Sequence, residues 1–395
     1  MIMRVIVIHN RYRYQGGEDS VFQAEVRLLS EHGNEVRQLV FDNKDISDSF
    51  DKYLQGLRGI YNVTSALTLQ KLIKEFKPDI IHVHNFFLLA SPSIFYAAKK
   101  FHVPVVVTLH NFRLVCPSGT LYHNGEIYEK NIRKLIPWNG IAKGVYRNSR
   151  METLALAGIT TVHNLIGTWK KKVDKFIVLT EFARRKFSDS ALRVNKNQFV
   201  VKPNFVADFG VGFASREKFF VLVGRLSVEK GIHVVLEALT IGKFKLVVIG
   251  DGPLKDDVLR VADINPNLIY LGFKERDVII DYLKRCTALL LPSVCYEGFP
   301  ISLLEAFATG TPAIVSNLGP LAEIVQDNEN GLHFEPGNAQ DLANKISMIS
   351  NDPFLAGKLG ENARRTYVNN FTPEKNYQKL MDIYTQLIHI GIDGR

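Results

Sequence analysis

The sequence predicts an α/β protein made of two doubly wound parallel-sheet domains. Three observations predict it. Short β-branched runs alternate with amphipathic helical patterns, the alternation lapses once in a Gly- and Pro-containing stretch, and it then resumes with a second set of strands. Near-continuous apolar strands joined by helices suit a parallel sheet covered on both faces, where neither side of a strand meets water.

In the first half the expected strands are "RVIVIHN", "EVRQLVF", "DIIHVHN", "PVVVTLH", "KFIVLT" and "QFVVKPN", with helices such as "DSVFQAEVRLLSEHG" and "VTSALTLQKLIKEF" between them. "KPNFVADFGVGFASREK" reads as the linker. The second set is "FFVLVGR", "FKLVVIGDG", "NLIYLGF", "TALLLPS" and "TPAIVSN", interleaved with helical patterns such as "VEKGIHVVLEAL" and "ERDVIIDYLKRC". The expected domains are 1–205 and 206–372, and the segment from 373 to 395 is a long helix that begins at a Pro and leads to no strand. Open parallel sheets bind ligands outside the carboxyl ends of their strands, so a cleft between the domains is the expected site.

A chain of 395 residues with 46% hydrophobic content is large enough for two packed domains. Three cysteines without a CxxC suit a reducing compartment better than a disulfide framework or a zinc site. No apolar run approaches the roughly 20 residues that span a bilayer. The opening "MIMRVIVIHN" lacks a cleavage pattern and reads as a strand, so a cytoplasmic protein is expected. Between Lys130 and Lys196 nine Lys and six Arg face four acids, a local excess of +11, whereas the rest of the chain sums to −2. Such a block is either a solvated helical face or a surface for anionic partners. It carries no nucleic-acid module signature, so no nucleic-acid partner is expected.

The chemistry is expected at strand ends. "VGRLSVEKG" places Arg225 and Lys230 around a helix entry, a suitable receptor for a diphosphate, although such pairs are more often plain surface charge. "VIGDGPL" gives Gly250 and Gly252 either a tight turn or close backbone approach to a base or ribose; the full dinucleotide spacing is absent. "LPSVCYEGFP" followed by "ISLLEAFATG" puts Glu297 in a turn and Glu305 inside the next helix. Backbone N–H groups from Gly298 to Ser302 would crown that helix and point at an anion, while each carboxylate suits sugar hydroxyls. In the first domain Gly16 and Gly17 precede a helix, and His84 and His110 end strands on the expected ligand side, where a lone His is more often structural. No Ser-His-Asp, HExxH or DxD pattern occurs.

Taken together, "EGFPISLLE" (E-x7-E), "GRLSVEKG" (R-x4-K), "GDGP", "LGF", "TPAIVSNLGPLAEIV", "NGLHFEPGN", "GGEDSVFQAEVRLL" and "LHNFRLVCP" resemble the retaining glycosyltransferases of family GT4, with the two-Rossmann GT-B architecture. The likeness covers nearly the whole chain. It implies an acceptor-binding N-terminal domain, a nucleotide-sugar-binding C-terminal domain, and a terminal helix, 373–395, returning to the first. Arg225 and Lys230 would neutralise the donor diphosphate, Glu305 would bind the ribose, and Glu297 the donor sugar, aided by N–H groups of Gly298, Phe299 and Ile301. His110 would contact the transferred sugar, Gly16 and Gly17 would face the phosphates, and main-chain groups near Phe273 would read the base. Pro300 stands where many relatives have Gly, which removes one N–H donor. The second cysteine cluster that some members show after "RLVCPSG" is absent here, so no metal or disulfide is expected there.

The resemblance implies metal-independent transfer, without a cofactor, from a UDP- or GDP-sugar to a glycan or polyprenyl-diphosphate-linked acceptor in cell-envelope polysaccharide assembly. The basic 130–196 region, with Trp138 and Tyr146 as anchors, would then touch an anionic inner membrane face. Rival readings are a nucleotide-sugar hydrolase or epimerase on the same scaffold, and a non-catalytic nucleotide-binding partner. A dehydrogenase is disfavoured because the cofactor fingerprint is incomplete.

Overall fold

The computed structural model describes residues 2–11, 16–42, 58–213 and 215–393. The chain divides into two compact units, one of Met1–Leu121, Tyr128–Pro203 and Asn376–Arg395, the other of Tyr122–Ile127 and Asn204–Lys375. The chain thus changes unit at 203/204 and 375/376, where the sequence placed the changes at 205/206 and 372/373. Residues 122–127, expected in the first domain, group with the second.

In chain order the first strands are β1 (Arg4–Arg11), β2 (Glu35–Asp42), β3 (Ile80–Val83) and β4 (Val105–Leu109). After the small β5 (Tyr122–His123) and β6 (Glu126–Ile127) come β7 (Lys175–Val178) and β8 (Phe199–Val201). The first unit's sheet runs β2-β1-β3-β4-β7-β8, all parallel, so every strand expected there forms. The order reverses between β1 and β3, which makes the ends of those two strands the switch point. Val5 and Val7 of β1, Val106 of β4 and Ile177 of β7 share one core with Phe22, Val26 and Leu29 of the helix Gly17–Glu31. Leu380, Ile383, Tyr384 and Leu387 of the helix Pro373–Asp393 enter the same core. Their i, i+3, i+4, i+7 spacing is one apolar stripe, and burying each such side chain contributes about 1.5–3 kcal/mol.

The second unit's sheet is built from β9 (Phe220–Val223), β10 (Leu246–Ile249), β11 (Leu268–Gly272), β12 (Ala288–Leu291), β13 (Ala313–Ser316) and β14 (Gly331–Phe334). It runs β11-β10-β9-β12-β13-β14, again all parallel. Numbered within the unit this is 3-2-1-4-5-6, the dinucleotide-fold order, with its switch point between β9 and β12. β14 was not among the expected strands: a Gly and a His in four residues leave little β-branched signal, and the pairing with β13 supplies what local pattern lacks. The described residues of the linker stretch form no helix or strand, yet the stretch is anchored. Phe205 and Val206 are buried, and the Tyr367 hydroxyl donates to the Val206 carbonyl at 3.0 Å.

Candidate active site

The second unit gathers its charged groups around its switch point. After β9 the chain passes Arg225, a 3-10 turn (Val228–Lys230) and Gly231, which opens the helix Ile232–Gly242. Gly231 sits at φ +70, and a Cβ there would fall 1.8 Å from the Pro292 carbonyl oxygen, so only glycine lets the β9 and β12 loops touch. That contact carries Lys230 to Glu297. The Lys230 ammonium donates to both Glu297 oxygens at 2.6 Å, and the Ser293 hydroxyl donates to Oε1. Glu297 is buried; the lysine side chain keeps a third of its surface exposed. Burial alone would lower the Lys230 pKa, but the charges of Glu297 and Glu229 outweigh it and leave the group above the usual lysine range.

This pairing leaves functional capacity on both partners. An ammonium has three N–H donors, and two are committed to the carboxylate. Oε2 of Glu297 accepts from Lys230 alone among the described contacts, so a lone pair remains for a hydroxyl. Arg225, two residues past β9, is exposed.

Glu297 leads through Gly298 and Phe299 into the helix Ile301–Ala308, which starts after Pro300. The side chain of Phe299 is buried against Phe371 at 5.6 Å, so any ligand contact there is through its backbone. Ile301 and Ser302 are partly exposed in the first turn, where helix N–H groups lack intrahelical partners. Glu305 is buried one turn on and accepts from Arg276 Nε at 2.8 Å; Arg276 also lies over the Phe209 ring at 4.9 Å. Burial raises the Glu305 pKa and the arginine opposes it. The sequence reading missed Arg276, since a charged residue in "FKERDV" looks like any solvated helix start. Phe273, just past β11, is 71% exposed. Gly252 has φ +157, and a Cβ would come within 2.4 Å of the Leu226 carbonyl oxygen. Gly252 therefore packs its backbone tightly against the loop that follows β9.

In the first unit, Gly16 precedes the helix Gly17–Glu31, and its N–H donates to Asp19 Oδ2 at 2.9 Å. Among the described residues, a Cβ at Gly16 would meet nothing within 4 Å. His84 and His110 follow β3 and β4 and touch, His84 Nδ1 to His110 Nε2 at 3.1 Å. Behind them lies a buried cluster the sequence reading did not assemble. Glu25 Oε1 meets His84 Nε2 at 3.1 Å and His82 Nδ1 at 2.9 Å, and its Oε2 takes the Lys202 ammonium at 2.7 Å. Asn376 Oδ1 also accepts from Lys202. Its trace in the sequence was Glu25 itself, on the same helix face as Phe22 and Leu29. Among the described residues Glu25, His82 and His84 are the group that brings three metal-ligating atoms together. Yet Lys202 already neutralises Glu25, and Tyr384 and Thr108 sit 2.7 Å from the two nitrogens of His82. The donor set fits a closed ion-pair network better than a cation site.

The basic region is partly spent on internal pairs. Arg184 is bonded to Glu181 at 2.6 Å and Lys186 to Glu129 at 2.5 Å. Lys170 and Lys171 are exposed beside the exposed apolar pair Leu165 and Ile166, and Trp138 is 64% exposed. Tyr146 is partly covered and packs under Arg147 at 5.1 Å. No helix among the described residues is long and apolar enough to cross a membrane.

The chain is 29% identical over 396 residues to an uncharacterized glycosyltransferase of Methanocaldococcus jannaschii, covering 98% of this chain and 99% of that protein. It is 25% identical to the UDP-Gal:alpha-D-GlcNAc-diphosphoundecaprenol alpha-1,3-galactosyltransferase of Escherichia coli, over 83% of this chain and 81% of that one. Among solved structures it resembles Anabaena HepE in complex with UDP and glucose, with a TM-score of 0.69 at 16% identity, covering 97% of this chain and 100% of that one. That likeness supports the GT-B fold. Residues 205–366 match the family described as glycosyl transferases group 1, and residues 16–208 match glycosyltransferase family 4. The two stretches overlap at 205–208 and together run from residue 16 to residue 366, and the chain belongs to the glycosyltransferases, family 4 in its N-terminal half and group 1 in its C-terminal half.

Proposed function

We propose that the protein transfers a sugar from a UDP- or GDP-sugar to a glycan or polyprenyl-diphosphate-linked acceptor with retention of configuration. The observation that carries this reading is the Lys230–Glu297 pair at the switch point, which sets a free ammonium hydrogen and a free carboxylate lone pair side by side. A nucleotide sugar needs those two functions next to each other, a cation for its phosphate and an acceptor for its hydroxyls. The names of the relatives, including a UDP-Gal-dependent galactosyltransferase acting on a diphosphoundecaprenol substrate, are consistent with such a donor and acceptor.

In this mechanism the bond from the anomeric carbon to the phosphate oxygen breaks and its electron pair stays on the diphosphate. Arg225, Lys230 and the first-turn N–H groups of Ile301 and Ser302, with Gly298 and Phe299 ahead of them, stabilise that charge without a metal. Losing one such donor costs about 2.7–4 kcal/mol of barrier. Glu305 holds the ribose, main chain near Gly252 and Phe273 faces the base, and Glu297 holds the donor sugar. His110 contacts the transferred sugar, and Gly16 and Gly17 approach the phosphates. The acceptor hydroxyl attacks on the face the phosphate leaves, and its proton passes to that phosphate.

A thermal-shift screen of UDP- and GDP-sugars, then product analysis with lipid-linked acceptors in the presence of EDTA, tests this. Donor consumption that never requires an acceptor would favour a hydrolase or epimerase; binding without turnover would favour a silent nucleotide-binding protein. We place the site of action in the cytoplasm at an anionic membrane face, through Lys170, Lys171, Leu165, Ile166 and Trp138, at about 1 kcal/mol per basic residue near the surface. Equal sedimentation with neutral and acidic vesicles would remove that electrostatic attachment.

A further inference from the structure

Glu25, His84 and His110 form a file from the interior of the first unit to its strand ends. Glu25 and His84 are buried, whereas His110 is partly exposed. Glu25 is held ionised, because the Lys202 ammonium beside it and the hydrogen bond from His82 overcome the effect of burial. A carboxylate only accepts, so His84 must present Nε2–H to it. Burial keeps His84 neutral, its pKa lowered to about 4. A neutral imidazole has one N–H, so the His84 Nδ1 that faces His110 is a lone pair. His110 must then donate from Nε2.

We infer that Glu25 and His84 are positioning residues that lock His110 in its Nε2–H tautomer and leave Nδ1 as a hydrogen-bond acceptor aimed at a hydroxyl-bearing ligand. Nothing among the described residues hydrogen-bonds to that Nδ1. An acceptor there selects a ligand O–H and rejects a phosphate oxygen or a carbonyl, which offer no hydrogen. His110 thereby belongs with the sugar rather than with the diphosphate. The ligand half of this inference rests on the function proposed above; the tautomer half does not.

The test is long-range proton–nitrogen NMR on full-length, histidine-labelled protein without ligand, with His110 signals assigned by their loss in His110→Gln. The expected result is a protonated Nε2 and an unprotonated Nδ1 at neutral pH. A protonated Nδ1, or an imidazolium, overturns the inference. His84→Phe keeps the ring volume and removes the acceptor, so His110 should relax to a mixture of tautomers. An unchanged single tautomer in that variant also overturns the lock. If His84→Phe does not fold, the wild-type spectrum alone decides. Transfer by a folded His84→Phe should fall by about tenfold or more, the scale for outer partners that orient a functional histidine. Wild-type transfer by His110→Gln alongside the expected spectrum would instead remove His110 from the sugar site while leaving the tautomer lock standing.

Discussion

Replacing Lys230 with Ala separates chemistry from stability. The wild-type ammonium bonds both oxygens of a carboxylate that is 7% exposed. Breaking a fully buried pair costs about 3–5 kcal/mol. Solvent reaches a third of this lysine, so the loss here is smaller, about 1–3 kcal/mol. The catalytic loss is of a different kind: removing one donor to the leaving group lowers kcat by about 10²–10³. Unfolding by denaturant and radiolabelled sugar transfer, run on the same preparations, measure the two. Adding Glu297→Gln to Lys230→Ala removes the orphaned charge, so stability should recover while transfer stays low. The pH dependence has a fixed sign. Lys230 has a raised pKa in the folded protein, so its stabilisation is complete below the usual lysine range and disappears as pH rises through that higher value. Transfer by Lys230→Ala within twofold of wild type would refute the assignment.

Glu305→Ala should raise the KM for donor by about 10–100-fold, as expected for a hydrogen bond to a charged group worth about 1.5–3 kcal/mol; unchanged donor affinity removes the ribose role. Gly231→Ala places a Cβ against the Pro292 carbonyl at positive φ and should cost about 2 kcal/mol or more, read as a lowered Tm together with lost donor binding. A wild-type Tm would show that this loop contact is dispensable. His84 titrates near 6.5 when unfolded and near 4 when folded, so acid favours unfolding as pH falls from 6.5 to 4, by roughly 3 kcal/mol. His84→Gln should flatten that part of the stability profile, and an equally steep profile would show that other groups account for it.

The alternation of strands and helices was readable because it depends on local periodicity. A strand buried on both faces must be apolar along its length, and an amphipathic helix must repeat its apolar stripe, whatever the rest of the chain does. Arg225, Lys230, Glu297 and Glu305 were therefore locatable at strand ends and a helix start, and the Leu380–Leu387 stripe lay within the foreseen terminal helix. β14 escaped because its four residues owe their conformation to β13 rather than to themselves. Only the tertiary structure decided which charges meet. Lys230 reaches Glu297 because β9 pairs with β12 and Gly231 lets their loops close. Arg276 reaches Glu305 from a different helix, and Lys202 reaches Glu25 across 177 positions of sequence. Pairing energy depends on distance and burial, and neither is written in the spacing of residues along one chain.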